Sequence, residues 1–238
     1  MIRVRGLSKS FNGQTVLAGL DFDVPDGEIL AVMGSSGTGK SVLLLNLIGL
    51  MPPDSGAIEV NGVAVTRLAE PELLKFRRHV GYLFQDSALY DFMTVEENIA
   101  FPLREHTASG LAVIRARVDE LLRMVDMAGA GGKYPSELSG GMRKRAALAR
   151  ALALGSKVLL CDEPTSGLDP VRSRDISLLI RDLSKKLGCT TLITTHDVRN
   201  AFRTADRALV LHQGRAVACG TEQELRAVAD PFVREFLE

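Results

Sequence analysis

The sequence contains no tryptophan and only three cysteines in 238 residues. Cys161, Cys189 and Cys219 are odd in number and widely spaced, and no CxxC pair occurs. This pattern argues against a disulfide framework and against a structural zinc site. It is typical of a protein that works in a reducing compartment such as the cytosol.

Long apolar runs are also missing. The longest apolar stretch, residues 42–51, is interrupted by Asn46 and is far shorter than the roughly 20 residues that a membrane span needs. The first residues lack the apolar segment of a secretory signal. If the protein acts at a membrane, we therefore expect another chain to cross it.

Neither sign of charge is in excess. Lys plus Arg and Asp plus Glu both number 29, so the charge balance gives no indication of nucleic-acid binding, and no nucleic-acid partner is expected. The basic clusters at residues 77–78 and 143–145 are interpreted as solvated helix faces.

Two kinds of strand are present instead. Near the N-terminus, apolar and polar residues alternate, and Asn61-Gly62 supplies a hairpin turn, which predicts a small antiparallel sheet. Four other segments are more continuously apolar, as strands of a helix-covered parallel sheet are: 29–33, 80–84, 158–161 and 190–194. Residues 86–157 are largely helical in pattern and are predicted to be an insertion in this α/β core.

A glycine-rich loop follows the first buried strand directly. Residues 34–41 read GSSGTGKS and precede an apolar, helical segment, so the P-loop pattern stands between strand and helix as it must. Its backbone N–H groups would cradle phosphate oxygens, aided by the positive end of the following helix. Lys40 would bridge the β- and γ-phosphates of ATP, and the Ser41 hydroxyl would ligate Mg²⁺. The alternative is a plain glycine-rich turn, which would not need a strand directly before it and a helix directly after it.

Polar residues follow the other buried strands. Asp162 and Glu163 come after 158–161, where they would hold Mg²⁺ and polarise the attacking water; alone, they would be better explained as a helix cap. His196 ends the strand that begins at Thr190 and is predicted to contact the γ-phosphate or the water. Gln85 ends the strand 80–84 and would reach Mg²⁺ or the water, or else serve only as a polar strand cap.

A second anion-binding helix start occurs at Ser139-Gly140-Gly141. Ser139 suits an N-cap, and the two glycines leave backbone N–H groups exposed. One chain with two phosphate sites but one P-loop suggests that the second site serves a neighbouring chain.

Taken in order, these motifs resemble those of an ABC transporter nucleotide-binding domain. The set comprises the P-loop, Gln85, LSGG at residues 138–141, LCDEP at 160–164, SGLD at 166–169 and His196. The resemblance covers residues 1–238 as a single ABC-type ATP-binding domain. It implies an α/β fold with a RecA-like P-loop NTPase core and parallel sheet, an N-terminal antiparallel β subdomain and an inserted α-helical subdomain.

The resemblance also implies a head-to-tail dimer that sandwiches two ATP molecules, with Asp169 at the interface and Phe11 stacked on adenine. Met142 departs from the Gln usual in the family. The expected catalytic residues are Glu163, His196, Lys40 and Gln85, and the expected metal ligands are Ser41, Gln85 and Asp162. The expected nucleotide contacts are Phe11, Gly34, Ser35, Ser36, Gly37, Thr38, Gly39, Lys40, Ser41, Val42, Ser139, Gly140, Gly141 and Asp169.

Two short segments resemble the ATPase of MCE-type, or Mla-class, phospholipid transport systems: LSGGMRKR at residues 138–145 and FPLREHT at 101–107. That resemblance implies a peripheral location on the cytoplasmic face of the inner membrane. It implies a membrane permease, an MCE-domain lipid-binding protein and a small STAS-like regulator as partners. The alternatives are the ATPase of another transporter, for amino-acid import or for macrolide or lipoprotein export, a soluble non-transport ABC ATPase, and an ATP sensor without turnover.

Overall fold

The computed structural model describes all 238 residues. Two sheets contain ten strands: β1 (Ile2–Phe11), β2 (Gln14–Val24), β3 (Ile29–Met33), β4 (Ser55–Val60), β5 (Val63–Ala64), β6 (Val80–Leu83), β7 (Val158–Asp162), β8 (Thr190–Thr195), β9 (Arg207–His212) and β10 (Arg215–Gly220). Nine α-helices connect and cover them: α1 (Lys40–Leu47), α2 (Glu70–Arg77), α3 (Val95–His106), α4 (Leu111–Met124), α5 (Gly140–Ala151), α6 (Pro170–Leu187), α7 (Val198–Thr204), α8 (Glu222–Arg226) and α9 (Pro231–Leu237). None of these helices combines the length and the apolar character needed to cross a membrane.

The larger sheet carries the predicted parallel core. Its order is β10-β9-β3-β8-β7-β6, and the five strands from β9 to β6 run parallel, while β10 pairs antiparallel with β9. The smaller sheet, β2-β1-β4-β5, is entirely antiparallel. The parallel core and the N-terminal antiparallel sheet are therefore both confirmed. Strands β1 and β2 form a hairpin that is longer than the alternating segments of the sequence indicated.

Strand β3 lies in the middle of the core and is fully buried. Its side chains divide among three apolar clusters: Ile29 packs with the helical insertion, Leu30 and Val32 with the N-terminal sheet and α1, and Ala31 and Met33 with the C-terminal helices. Burial on both faces explains why this strand reads as an unbroken apolar run.

Helices α3, α4 and α5 form the predicted insertion between β6 and β7. The Thr94 hydroxyl accepts a hydrogen bond from the Glu97 N–H, and the Glu97 carboxylate accepts one from the Thr94 N–H. The capping box expected from the sequence is therefore present. The basic cluster at 143–145 differs from the prediction. Lys144 is buried because the face of α5 that carries it packs against the loop after β6, whereas Arg143 remains exposed.

Candidate active site

The glycine-rich loop joins β3 to α1, as predicted. Gly34 and Gly39 are required by the packing, since a Cβ on Gly34 would lie 2.6 Å from the Leu211 carbonyl oxygen and one on Gly39 2.8 Å from Leu17. Gly39 also has a φ of 95°, which disfavours other residues. The loop can therefore approach a ligand through its backbone.

Lys40 is folded back over this loop. Its Nζ donates hydrogen bonds to the carbonyl oxygens of Gly34 (2.8 Å) and Ser35 (3.0 Å), and the residue is only 6% exposed. A buried ammonium aimed at the mouth of a backbone cradle fits the phosphates of a nucleotide.

Ser41 and Asp162 meet at the carboxyl edge of the sheet. The Ser41 hydroxyl donates to Asp162 Oδ1 at 3.0 Å, and Thr194 of β8 donates to the same oxygen at 2.6 Å. Hydroxyl and carboxylate oxygens are the donors that Mg²⁺ prefers, so these residues fit a magnesium ion held together with substrate phosphates. The sequence did not single out Thr194, whose position on the adjacent strand was the available signal.

Glu163 lies between two of the predicted site residues. Its Oε1 is 3.2 Å from Lys40 Nζ, and its Oε2 is 2.9 Å from His196 Nδ1, which would donate because the carboxylate accepts. The carboxylate is almost buried, whereas His196 is exposed.

The backbone at Glu163 has a φ of 42°, a conformation that costs about 1–3 kcal/mol for a residue other than glycine. Two hydrogen bonds from its N–H, to the carbonyl oxygen and the hydroxyl oxygen of Thr194, both at 3.1 Å, hold it there. Strain of this kind is common where a side chain must be aimed at a reacting group.

Gln85 follows β6 at the same edge of the sheet. Its side-chain amide donates to the Ser166 hydroxyl at 3.4 Å, a contact with the loop that follows Glu163. It makes no hydrogen bond with Ser41 or Asp162, so its role as a metal ligand stays a prediction.

The second anion-binding helix start lies on a different element. Ser139 caps α5 by accepting a hydrogen bond from the Met142 N–H at 3.3 Å, and Gly140 and Gly141 form the first turn. Ser139 is exposed and makes no hydrogen bond with the phosphate loop of its own chain. Asp169 caps α6, where the Arg172 N–H is the main cause of a lowered Asp169 pKa.

Two further predicted nucleotide contacts have apolar side chains. Phe11 ends β1 with its ring 40% exposed and Lys9 5.5 Å from the ring centroid, and Val42 lies in the first turn of α1. An exposed aromatic ring is suited to stacking on a base.

Comparison with known proteins identifies the family of this chain. The model described as ABC transporter matches residues 17–166. The probable ribonucleotide transport ATP-binding protein mkl of Mycobacterium leprae is 44% identical over 236 residues, and the match covers 99% of this chain and 68% of that protein. The intermembrane phospholipid transport system ATP-binding protein MlaF of Escherichia coli K12 is 38% identical, with 100% of this chain and 88% of MlaF covered. The methionine import ATP-binding protein MetN of Symbiobacterium thermophilum is 42% identical, with 94% and 69% covered.

A solved structure agrees with the fold. The dimeric post-hydrolysis state of the ATP-binding cassette MJ0796, bound to ADP and Pi, has a TM-score of 0.85 and 29% identity, with 93% of this chain and 98% of that chain covered. The chain therefore belongs to the ABC transporter family. It is an ATP-hydrolysing transporter subunit that uses ATP with Mg²⁺, and cassettes of this family form dimers and work with a membrane permease.

Proposed function

We propose that this chain powers phospholipid transport through a separate permease at the cytoplasmic face of the inner membrane. The observation that carries the proposal is the position of residues 101–107. Phe101, Pro102 and His106 line an open groove of about 710 Å³ beside the turn that contains Gln85. If the permease docks in this groove, the segment that resembles Mla-class ATPases would contact it.

The composition of the groove suits a helix of another protein. Its apolar wall includes exposed side chains, and three arginines also line it. Arg77 is paired with Glu70, and Arg150 donates to backbone carbonyl groups, so Arg78 is the cation that remains for a partner. Apolar anchors beside such a cation favour a partner segment with apolar side chains and a carboxylate. The apolar members include Leu74, Phe84, Tyr90, Phe101 and Pro102, and the arginines are Arg77, Arg78 and Arg150.

Hydrolysis is assigned to the cluster around Glu163. In this assignment Glu163 accepts the proton of the attacking water, and His196 orients the carboxylate through its Nδ1 contact. Lys40 exchanges its contact with Glu163 for phosphate oxygens when ATP binds. Ser41 and Asp162 would hold Mg²⁺, which neutralises charge on the β- and γ-phosphates.

The second half of the site is assigned to a partner copy of the chain. Ser139, Gly140 and Gly141 present a helix N-terminus and an exposed hydroxyl that no group of the same phosphate loop uses. A head-to-tail dimer would place this surface, with Asp169 nearby, on the ATP bound to the other copy. The proposed system further includes an MCE-domain lipid-binding protein and a small STAS-like regulator.

Import of a small polar substrate is a second candidate. It is favoured by the relatives named for ribonucleotide and methionine transport, which are 44% and 42% identical to this chain. The two candidates share the ATPase mechanism and differ in the permease.

Affinity purification of the tagged chain from detergent-solubilised native membranes, with mass spectrometry, tests the assignment. A permease recovered with an MCE-domain protein is the expected result, and a permease of another class would refute the phospholipid assignment. Leu74→Asp, in the groove, should lose the permease while keeping ATP binding. Leu111→Asp is the matched control, because Leu111 is also an exposed leucine (69%, against 55% for Leu74) but lies outside the groove.

A further inference from the structure

The loop after β6 has an unusual backbone. Ser87 and Ala88 have φ values of 66° and 49°, in the left-handed region that residues other than glycine disfavour. Two such residues in succession need support from their surroundings. This loop begins at Gln85 and continues into the wall of the groove at Ala88.

Helix α5 supplies that support with two cations. Arg150 donates from one guanidinium nitrogen to the Ala88 carbonyl oxygen (2.6 Å) and from another to that of Ser87 (2.9 Å). Lys144, six residues earlier, donates from Nζ to the carbonyl oxygen of Gln85. Three of the four carbonyl groups of the turn at residues 85–88 thus accept hydrogen bonds from one helix.

Neither cation has a carboxylate within ion-pair distance, unlike most charged groups that are removed from water. Lys144 is 5% exposed, and burial lowers the pKa of both Lys144 and Arg150. Their hydrogen-bond partners are backbone carbonyl groups, and the Tyr90 ring lies 5.8 Å from the Arg150 guanidinium. Burying two such charges costs more than burying two neutral donors would. This arrangement indicates that the position of the loop backbone relative to α5 has to be fixed.

The same helix begins at Ser139, where the ATP of the partner copy is proposed to bind. The loop that α5 holds also has two other contacts. The Gln85 side-chain amide donates to Ser166, and Ala88 lines the groove together with Arg150. One helix therefore connects the predicted ATP contact, Gln85 and the groove wall.

We propose that Lys144 and Arg150 are positioning residues that lock the turn at residues 85–88 to α5. When ATP engages the start of α5, the clamp moves Gln85 and the groove wall together with the helix. The inference rests on the proposed function, which places ATP at Ser139 and a permease in the groove. It adds the two side chains through which the ATP site and the permease groove are coupled.

Hydrogen exchange of the full chain tests the clamp. The chain is compared with and without Mg²⁺ and a non-hydrolysable ATP analogue, at a concentration where light scattering shows a dimer. In the wild type, amides of both the phosphate loop and residues 84–93 should exchange more slowly with nucleotide. In Arg150→Lys, which keeps the charge but loses the two-pronged geometry, the phosphate loop should respond as before and residues 84–93 should lose most of their response.

Arg117→Lys is the matched control. Arg117 also donates to two backbone carbonyl oxygens, those of Leu152 and Ala153, at 3.1 and 3.4 Å, but it does not touch residues 85–88. It should behave as the wild type. An equal response of residues 84–93 in wild type and Arg150→Lys would overturn the clamp. If the wild type shows protection at the phosphate loop and none at 84–93, the proposed role of Gln85 itself fails.

A pair of substitutions at Lys144 keeps the test open if Arg150→Lys does not fold. Lys144→Gln retains a donor for the Gln85 carbonyl, whereas Lys144→Met has similar length and none. With the permease complex, Lys144→Met should lower kcat for ATP about tenfold with KM within about twofold, and Lys144→Gln should recover most of the loss. Equal kcat in both variants, or a loss confined to KM, would contradict a positioning role.

Discussion

Replacing Glu163 by Gln separates the two contacts of this carboxylate from its proposed reaction. The change keeps the shape of the side chain and removes its charge. Both neighbours are cationic or polarised groups, Lys40 at 3.2 Å and His196 at 2.9 Å. Because the Glu163 carboxylate and Lys40 are nearly buried, solvent screens their contact little.

The stability cost follows from the contacts that remain. Lys40 keeps the carbonyl oxygens of Gly34 and Ser35 as acceptors, so its charge is not left without partners. We therefore take the loss as that of one hydrogen bond to a charged group, about 1.5–3 kcal/mol. For a domain of this size that corresponds to a Tm about 3–12 °C lower in the absence of nucleotide.

The kinetic effect should be larger. Loss of a general base lowers kcat by about 10²–10⁴-fold. ATP affinity should be higher, because phosphate oxygens no longer compete with the Glu163 carboxylate for Lys40. Mg-ATP should accordingly raise the Tm of the variant by more than that of the wild type, and ATP should accumulate in a trapped dimer.

Steady-state phosphate release and thermal unfolding with and without Mg-ATP measure these effects. Glu28→Gln is the matched control, since Glu28 is also largely buried and lies 3.1 Å from a cation, Arg207. It should leave kcat unchanged. Undiminished turnover in Glu163→Gln would refute its assignment as the base, and weaker ATP binding would refute the competition for Lys40.

Three other substitutions test separate parts of the site. Thr194→Val removes the 2.6 Å hydrogen bond to Asp162 and one of the two acceptors of the Glu163 N–H. The first loss should raise the Mg²⁺ concentration for half-maximal ATPase activity about tenfold or more, measured by titration, and an unchanged requirement would count against the Thr194–Asp162 pair. Ser139→Arg should abolish turnover while the monomer still binds ATP by fluorescence titration, and loss of binding in the monomer would show that Ser139 acts within its own chain. Asp169 has a lowered pKa in the folded protein, so its charge stabilises the fold above its ordinary pKa of 3.8, and this contribution is lost as pH falls through the lower folded value. Asp169→Asn keeps a capping acceptor but loses the charge, so the wild type should have the higher Tm near pH 7 and the two Tm values should become equal in acid. A Tm difference that is constant across pH would contradict this.

The meeting of Ser41 and Asp162 could be predicted from the sequence. Both follow apolar strands of a parallel sheet, and the carboxyl ends of such strands share one edge. The contacts of Glu163 with Lys40 and His196 were not predicted, because they depend on side-chain directions and on a positive φ at a residue other than glycine.

The prediction that Lys144 lies on a solvated helix face was wrong for a related reason. A run of three basic residues on a helix places each on a different side, and the sequence does not say which side meets the rest of the protein. Lys144 turned out to face the loop after β6, while its neighbour Arg143 faces solvent. Loop carbonyl groups leave no trace in the sequence that would pair them with a particular cation.

The central strand β3 makes the phosphate loop dependent on the entire core. Its five side chains are shared among three apolar clusters, and the loop is attached to its end. Substitutions deep in any cluster, far from ATP, would loosen the same anchor. Screens for temperature-sensitive loss of transport should therefore recover conservative changes scattered through all three clusters, and ATP supplied in excess should partly rescue them.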